Sequence, residues 1–99
     1  MSRKEYDKYA YLETMEALIQ DWHIEIERLK SKAHRAHVPL GNDYDRQIKV
    51  LRKGCTEFRQ RLRKLRRSDE NNWSGLQAGL ERAATRVEKT LDTALFRFG

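Results

Sequence analysis

Apolar residues recur along the first third of the chain at Leu12, Met15, Ile19, Trp22, Ile26, Leu29, Ala33 and Ala36, in alternating steps of three and four. A second series with the same alternation runs through Tyr44, Ile48, Leu51, Cys55, Phe58, Leu62 and Leu65. This is the spacing of helices that bury one stripe against other helices. A third stripe comprises Trp73, Leu76, Leu80, Ala83 or Ala84, Val87, Leu91, Ala94 and Phe98. It slips once near Ala83, which brings it closer to the 3.6-residue period of a straight helix. The pattern predicts three helices, over about residues 3–36, 43–67 and 69–96, within a single domain of 99 residues.

The punctuation between the stripes supports this division. His37-Val38-Pro39-Leu40-Gly41-Asn42 is the one strong breaker. Proline disfavours helix in the residue before it, and glycine accepts the backbone of a turn. Ser2, with Glu5 three residues on, is expected to cap the first helix, and Asn42 or Asp43 the second. Ser68, followed by Asp69 and Glu70, is expected to start the third. Short connections make consecutive helices antiparallel neighbours. Folding the chain about Leu40 sets Trp22 beside Phe58. Folding it about Asp69 sets Phe58 level with Leu80 or Ala84, and brings Trp73 to Leu65 and the Leu12–Met15 end of the first helix. The fold class is therefore all-α, an antiparallel three-helix bundle. The alternative is a helical hairpin opened at Pro39–Gly41 into a domain-swapped coiled-coil dimer.

Charge changes the picture in one place. The formal net charge of +6 is uneven: residues 1–36 balance at seven cations and seven acids, residues 37–67 hold ten cations and three acids, and residues 68–99 hold four and five. The basicity belongs to the middle helix. The acid-rich residues 1–27 are expected to lie beside its basic end, and the cations of residues 28–36 beside Asp43 and Asp45. No apolar run reaches the roughly 20 residues needed to span a bilayer. With one cysteine there is no internal disulfide. With no apolar signal core near the N-terminus, these features point to a cytoplasmic protein.

Two stretches carry a family likeness. Met1-Ser2-Arg3-Lys4-Glu5-Tyr6, continued by Trp22-His23-Ile24-Glu25-Ile26-Glu27-Arg28-Leu29-Lys30-Ser31-Lys32-Ala33, has a tryptophan followed by a Glu-Ile-x-x-Leu-x-x-Lys-Ala pattern. Trp73-Ser74-Gly75-Leu76-Gln77-Ala78-Gly79-Leu80-Glu81 and the ending Ala94-Leu95-Phe96-Arg97-Phe98 have a second tryptophan, a Leu-x-x-Gly step and an Arg-Phe-like tail. With Tyr44–Arg52, these resemble a family of small bacterial coiled-coil proteins, some associated with stress responses. The resemblance implies an all-helical, non-enzymatic protein without catalytic residues. The basic second helix and the Pro39–Gly41 break depart from the family pattern.

The run Arg59-Gln60-Arg61-Leu62-Arg63-Lys64-Leu65-Arg66-Arg67 is the sharpest functional candidate. Its two leucines face the core, leaving Arg59, Arg61, Arg63, Lys64, Arg66 and Arg67 on the flanks and the outside. Two uses of these cations are open. They pair with acids of the other helices and with the helix dipole, or they bind nucleic acid or an anionic membrane surface. No aromatic side chains interleave them, so base stacking is not expected.

Other residues read as structure. His34 and His37 share a helix face, but two ligands do not close a metal site and His23 is three turns away. Cys55 sits in the second seam as packing, with its thiol pKa raised by burial. Gly75 and Gly79 predict a close approach of the third helix to a neighbour. Trp22 and Trp73 are core. No catalytic residue, cofactor site, metal site or small-molecule substrate is expected. The expected function is a structural or protein-interaction bundle, with self-association or a protein partner. The alternative is binding of nucleic acid or an anionic surface through the second helix. Tyr6, Tyr9, Tyr11, Leu18, Ile24, Leu40, Leu95 and Phe96 lie off the seams as candidates for a second interface.

Overall fold

The computed structural model describes residues 3–35 and 41–98, with side chains for all of these except residues 3–7, 42 and 70. Three helices follow in order: α1 (Arg3–Arg35), α2 (Asn42–Arg67) and α3 (Glu70–Phe98). They pack into a rod of 54 × 19 × 17 Å in which each helix touches both others, with the most extensive interface between α2 and α3.

The antiparallel register follows the seams. Trp22 meets Phe58 edge to face, with ring centroids 4.7 Å apart, at the level set by folding about Leu40. Such aromatic pairs add about 0.5–1.5 kcal/mol to the area they bury. Glu16 of α1 reaches Arg66 of α2. Toward the other end of the rod, Tyr44 of α2 meets Phe98 of α3. The core is the predicted stripe: Leu29, Leu51, Phe58, Leu65, Leu80 and Ala94 have no exposed surface. Ala83 and Ala84 are both buried, so the slip in the third heptad widens the packed face rather than moving it. Among the described residues no polar or charged residue is buried.

The helix ends differ from the expectation. Gly41 occupies the position before α2 in extended backbone, with no side-chain cap, and its carbonyl accepts from the Tyr44 amide at 3.1 Å. Ser68 closes α2 instead of opening α3. Its amide and hydroxyl both donate to the Leu65 carbonyl, at 3.1 and 2.6 Å. The capping role falls to Asp69, whose carboxylate accepts from the Asn72 amide at 3.1 Å. A carboxylate carries a full negative charge to the positive end of the helix, which a hydroxyl does not. The expected Ser2–Glu5 cap and the Pro39 break lie outside the described residues.

The end of the bundle at the α2–α3 connection is tied by polar contacts that bridge the helices. The Lys8 ammonium donates to the Ser68 carbonyl at 3.1 Å and lies 5.1 Å from the centre of the Trp73 ring. Tyr11 packs edge-on to Trp73 and donates its hydroxyl to Glu81 at 3.2 Å. Trp73 is thus half-buried under α1, and Tyr11, off the seam in sequence, is part of the packing.

Candidate anion-binding face of the second helix

The packed side of α2 is set by Ile48, Leu51, Phe58, Leu62 and Leu65. Each residue turns about 100° around a helix, so positions half a turn from this seam face away from the bundle. Those positions are Lys49, Lys53, Thr56, Gln60, Arg63, Lys64 and Arg67, with Arg52 and Arg59 on the flank toward α1 in the heptad row of Arg66, and all are exposed. None is an acid. At about 1.5 Å per residue the face runs about 27 Å along the helix. It is twice as long as the tract between Arg59 and Arg67 that stands out in the sequence. The missing half, Lys49, Arg52 and Lys53, is diluted in sequence by Val50, Leu51 and Gly54. Its signal is spacing: 49, 53, 56, 60, 63 and 67 repeat the three–four alternation on the side opposite the seam.

The six cations singled out from sequence are all exposed but do not form one set. Arg61 leans toward α3. Its Nε lies 3.3 Å from Glu57, and that carboxylate also reaches Arg86 of α3 at 3.7 Å. The Arg61 guanidinium lies over buried Gly79, where a Cβ would come within 2.8 Å of its Nη1. Arg66 turns to the other side and pairs with Glu16 of α1. The remaining four, Arg59, Arg63, Lys64 and Arg67, form no salt bridge among the described residues. Internal pairing therefore accounts for Arg61 and Arg66, and the open face holds the rest.

The expected pairing of residues 28–36 with Asp43 and Asp45 is not found among the described residues. Arg28 and Lys30 bond within α1, to Glu25 at 3.1 Å and Glu27 at 3.5 Å. These i,i+3 contacts keep each cation close to its own helix, at little entropic cost.

The open face works against the stability of its own helix. Lys49 and Lys53, Arg59 and Arg63, and Arg63 and Arg67 are like-charged neighbours one turn apart. Each such pair destabilises a helix by about 0.2–0.5 kcal/mol. Cations near the C-terminus of α2 recover part of this through the helix dipole. Lys49, Arg52 and Lys53 lie too far from that end to do so.

Beside the face, a shallow groove of about 280 Å³ opens between α2 and α3, lined by Glu57, Gln60, Arg61, Lys64 and Leu76. Glu57 within it opposes an anion, so the groove is an edge of the cationic face rather than a closed pocket.

The remaining sequence candidates fall into structural places. Gly79 makes a close approach, to the Arg61 guanidinium rather than to another helix backbone or a tryptophan. Gly75 faces open space, so the expected tight packing there is absent. Gly54 makes the tight contact with a packed side chain of the neighbouring helix: a Cβ there would stand 3.0 Å from Val87 Cγ2. Burial pushes the Cys55 thiol above its ordinary pKa, with Arg59 pulling weakly the other way. His23 and His34 are exposed, and His37 lies outside the described residues. Among the described residues no group of three or more His, Cys, Asp or Glu side chains is placed to hold a metal. Nor is any described helix long and apolar enough to cross a membrane. Of the off-seam apolar residues, Tyr9, Ile24 and Phe96 are exposed, joined by Val50, while Leu18 and Leu95 pack on the core. Tyr9 and Phe96 lie at opposite ends of the rod, so they do not form one patch.

Comparison with family models, with curated proteins and with solved structures finds no match. The functional reading accordingly rests on the geometry of α2.

Proposed function

We propose that this chain is a non-enzymatic interaction module, a rigid three-helix rod that presents the outer face of α2 to an anionic partner. The observation that carries this reading is the row of exposed cations from Lys49 to Arg67, separate from Arg61, which pairs with Glu57 of the same helix, and from Arg66, which pairs with Glu16 of α1. A row that lowers the stability of its own helix is accounted for by a partner that neutralises it. Most of the large hydrophobic side chains are committed to the seams, and the groove beside α2 is shallow and charged. The rod therefore contributes rigidity and charge placement rather than a reaction centre.

Retention on immobilised heparin, a generic polyanion, tests the reading. The wild-type chain is expected to elute at a higher salt concentration than Arg59→Glu/Arg63→Glu. Lys32→Glu/Arg35→Glu, which makes the same change in net charge on α1, is the control. Equal elution of the two variants would show that retention follows net charge alone and would remove the role assigned to the α2 face.

A further inference from the structure

We infer that the partner of the α2 face is double-stranded DNA, gripped through its phosphates without reading of base sequence. The inference rests on the proposed role of that face and names its occupant. Three features of the face select this partner.

The first is charge density. Seven unpaired cations over about 27 Å give about one per 4 Å of helix axis. Each strand of duplex DNA presents a phosphate about every 3.4 Å along its axis. Four of the seven are arginines (Arg52, Arg59, Arg63 and Arg67), whose planar forks match phosphate oxygens two at a time.

The second is shape. α2 is packed on one side only and exposes a single convex ridge. A helix with its side chains is about 10–12 Å across, and the B-form major groove is about 12 Å wide. With the ridge in that groove, Arg52, Arg59 and Arg63 lie toward one strand and Lys53 and Lys64 toward the other. A-form RNA closes its major groove to such a ridge.

The third is what the face lacks. It has no aromatic side chain on which the bases of a single strand would stack. It has no apolar row to enter the lipid boundary, as surface-bound amphipathic helices do. The two uncharged side chains at its centre are Thr56 and Gln60, and the Thr56 hydroxyl already donates to the Arg52 carbonyl at 3.0 Å. Phosphate contacts therefore dominate, and affinity falls with salt.

The test is equilibrium binding of the full chain to a duplex DNA of about 30 base pairs, titrated from about 50 to 200 mM salt. The comparison ligands are the RNA duplex of the same sequence, single-stranded oligo-dT, poly-glutamate and phosphatidylglycerol vesicles. With about six phosphates engaged, the logarithm of affinity should fall with slope about −5 against the logarithm of salt, a loss of about a thousand-fold over that range. A scrambled duplex should bind equally well. Arg59→Gln and Arg63→Gln should each reduce the slope by about 0.9, whereas Arg61→Gln, which removes a cation already paired with Glu57, should reduce it less. Circular dichroism of each variant confirms that the bundle is intact. Equal or tighter binding of any comparison ligand overturns the choice of DNA while leaving an anionic partner for α2 in place. Binding of none of the five ligands even at about 20 mM salt, where phosphate contacts are strongest, overturns both.

Discussion

Arg59 and Arg61 are separated by one residue in α2, and both end in solvent, yet they serve different surfaces. Arg61 turns to α3, sits over Gly79 and shares Glu57 with Arg86. Arg59 lies on the opposite flank, exposed and in no salt bridge among the described residues. The packed side of α2 is close-fitting: Gly54 admits Val87 of α3, and Phe58 is fully buried against Trp22 of α1. The open side accumulates like charges one turn apart. A rotation of about 200° around the helix axis separates the two arginines. The same residue type stabilises the bundle on one side of the helix and strains it on the other. Composition alone therefore cannot say which of its cations holds the fold.

The contrast makes predictions of graded size. The largest concerns the packed side. Phe58→Ala should cost about 3–5 kcal/mol, since it opens a cavity against Trp22 that the rod cannot refill. Urea denaturation followed by circular dichroism measures it, and a loss under about 1 kcal/mol would mean that the layer is loosely packed.

A pair of glycines sharpens the comparison at a smaller scale. Gly75→Ala, in open space, should raise stability by up to about 1 kcal/mol from helix propensity. Gly54→Ala has the same propensity gain, but its Cβ would press on buried Val87 at 3.0 Å, and the net change should be a loss. The sign of the difference between the two unfolding midpoints is the readout. Equal shifts would contradict the tight α2–α3 contact.

Alkaline pH probes the clamp at the α2–α3 end. Burial, the Glu81 charge and the hydrogen bond to Glu81 push the Tyr11 phenol up to about 12 from its usual 10. A raised pKa means that the fold favours the neutral, protonated form. This stabilisation is fully present below pH 10 and is lost as pH rises toward about 12. The stability gap between the wild type and Tyr11→Phe should therefore narrow across that window. A gap independent of pH would show that the phenol makes no such contact.

The layers of the bundle can be read from sequence because seams and breakers act over whole helices. Trp22 meeting Phe58 needed only two heptad series and a turn near Leu40. The cap of α3 lies at Asp69, one residue beyond Ser68, because a hydroxyl and a neighbouring carboxylate compete for the same amides and only the backbone path decides between them. Nothing in the sequence marks Gly54, because close approach depends on which helix lies beside it, and no single-helix pattern reports that. The cationic face is half legible in the sequence. A dense run at Arg59–Arg67 is visible by eye, while Lys49, Arg52 and Lys53 join it only when the helix is turned to show its outer side. Arg66 is set apart by Glu16 of α1, visible only in space, and Arg61 by Glu57 one turn back on α2, which it shares with Arg86 of α3.

The smallest expected effect bears on the central claim, that the outer face of α2 is kept for a partner rather than for the fold. The measurement is the unfolding free energy of Arg59→Gln/Arg63→Gln at low salt, taken with its affinity for duplex DNA. Relief of like-charge repulsion should leave stability unchanged or higher by a few tenths of a kcal/mol, while binding weakens by more than about ten-fold. A stability loss above about 1 kcal/mol with unchanged binding would show instead that these arginines hold the bundle together.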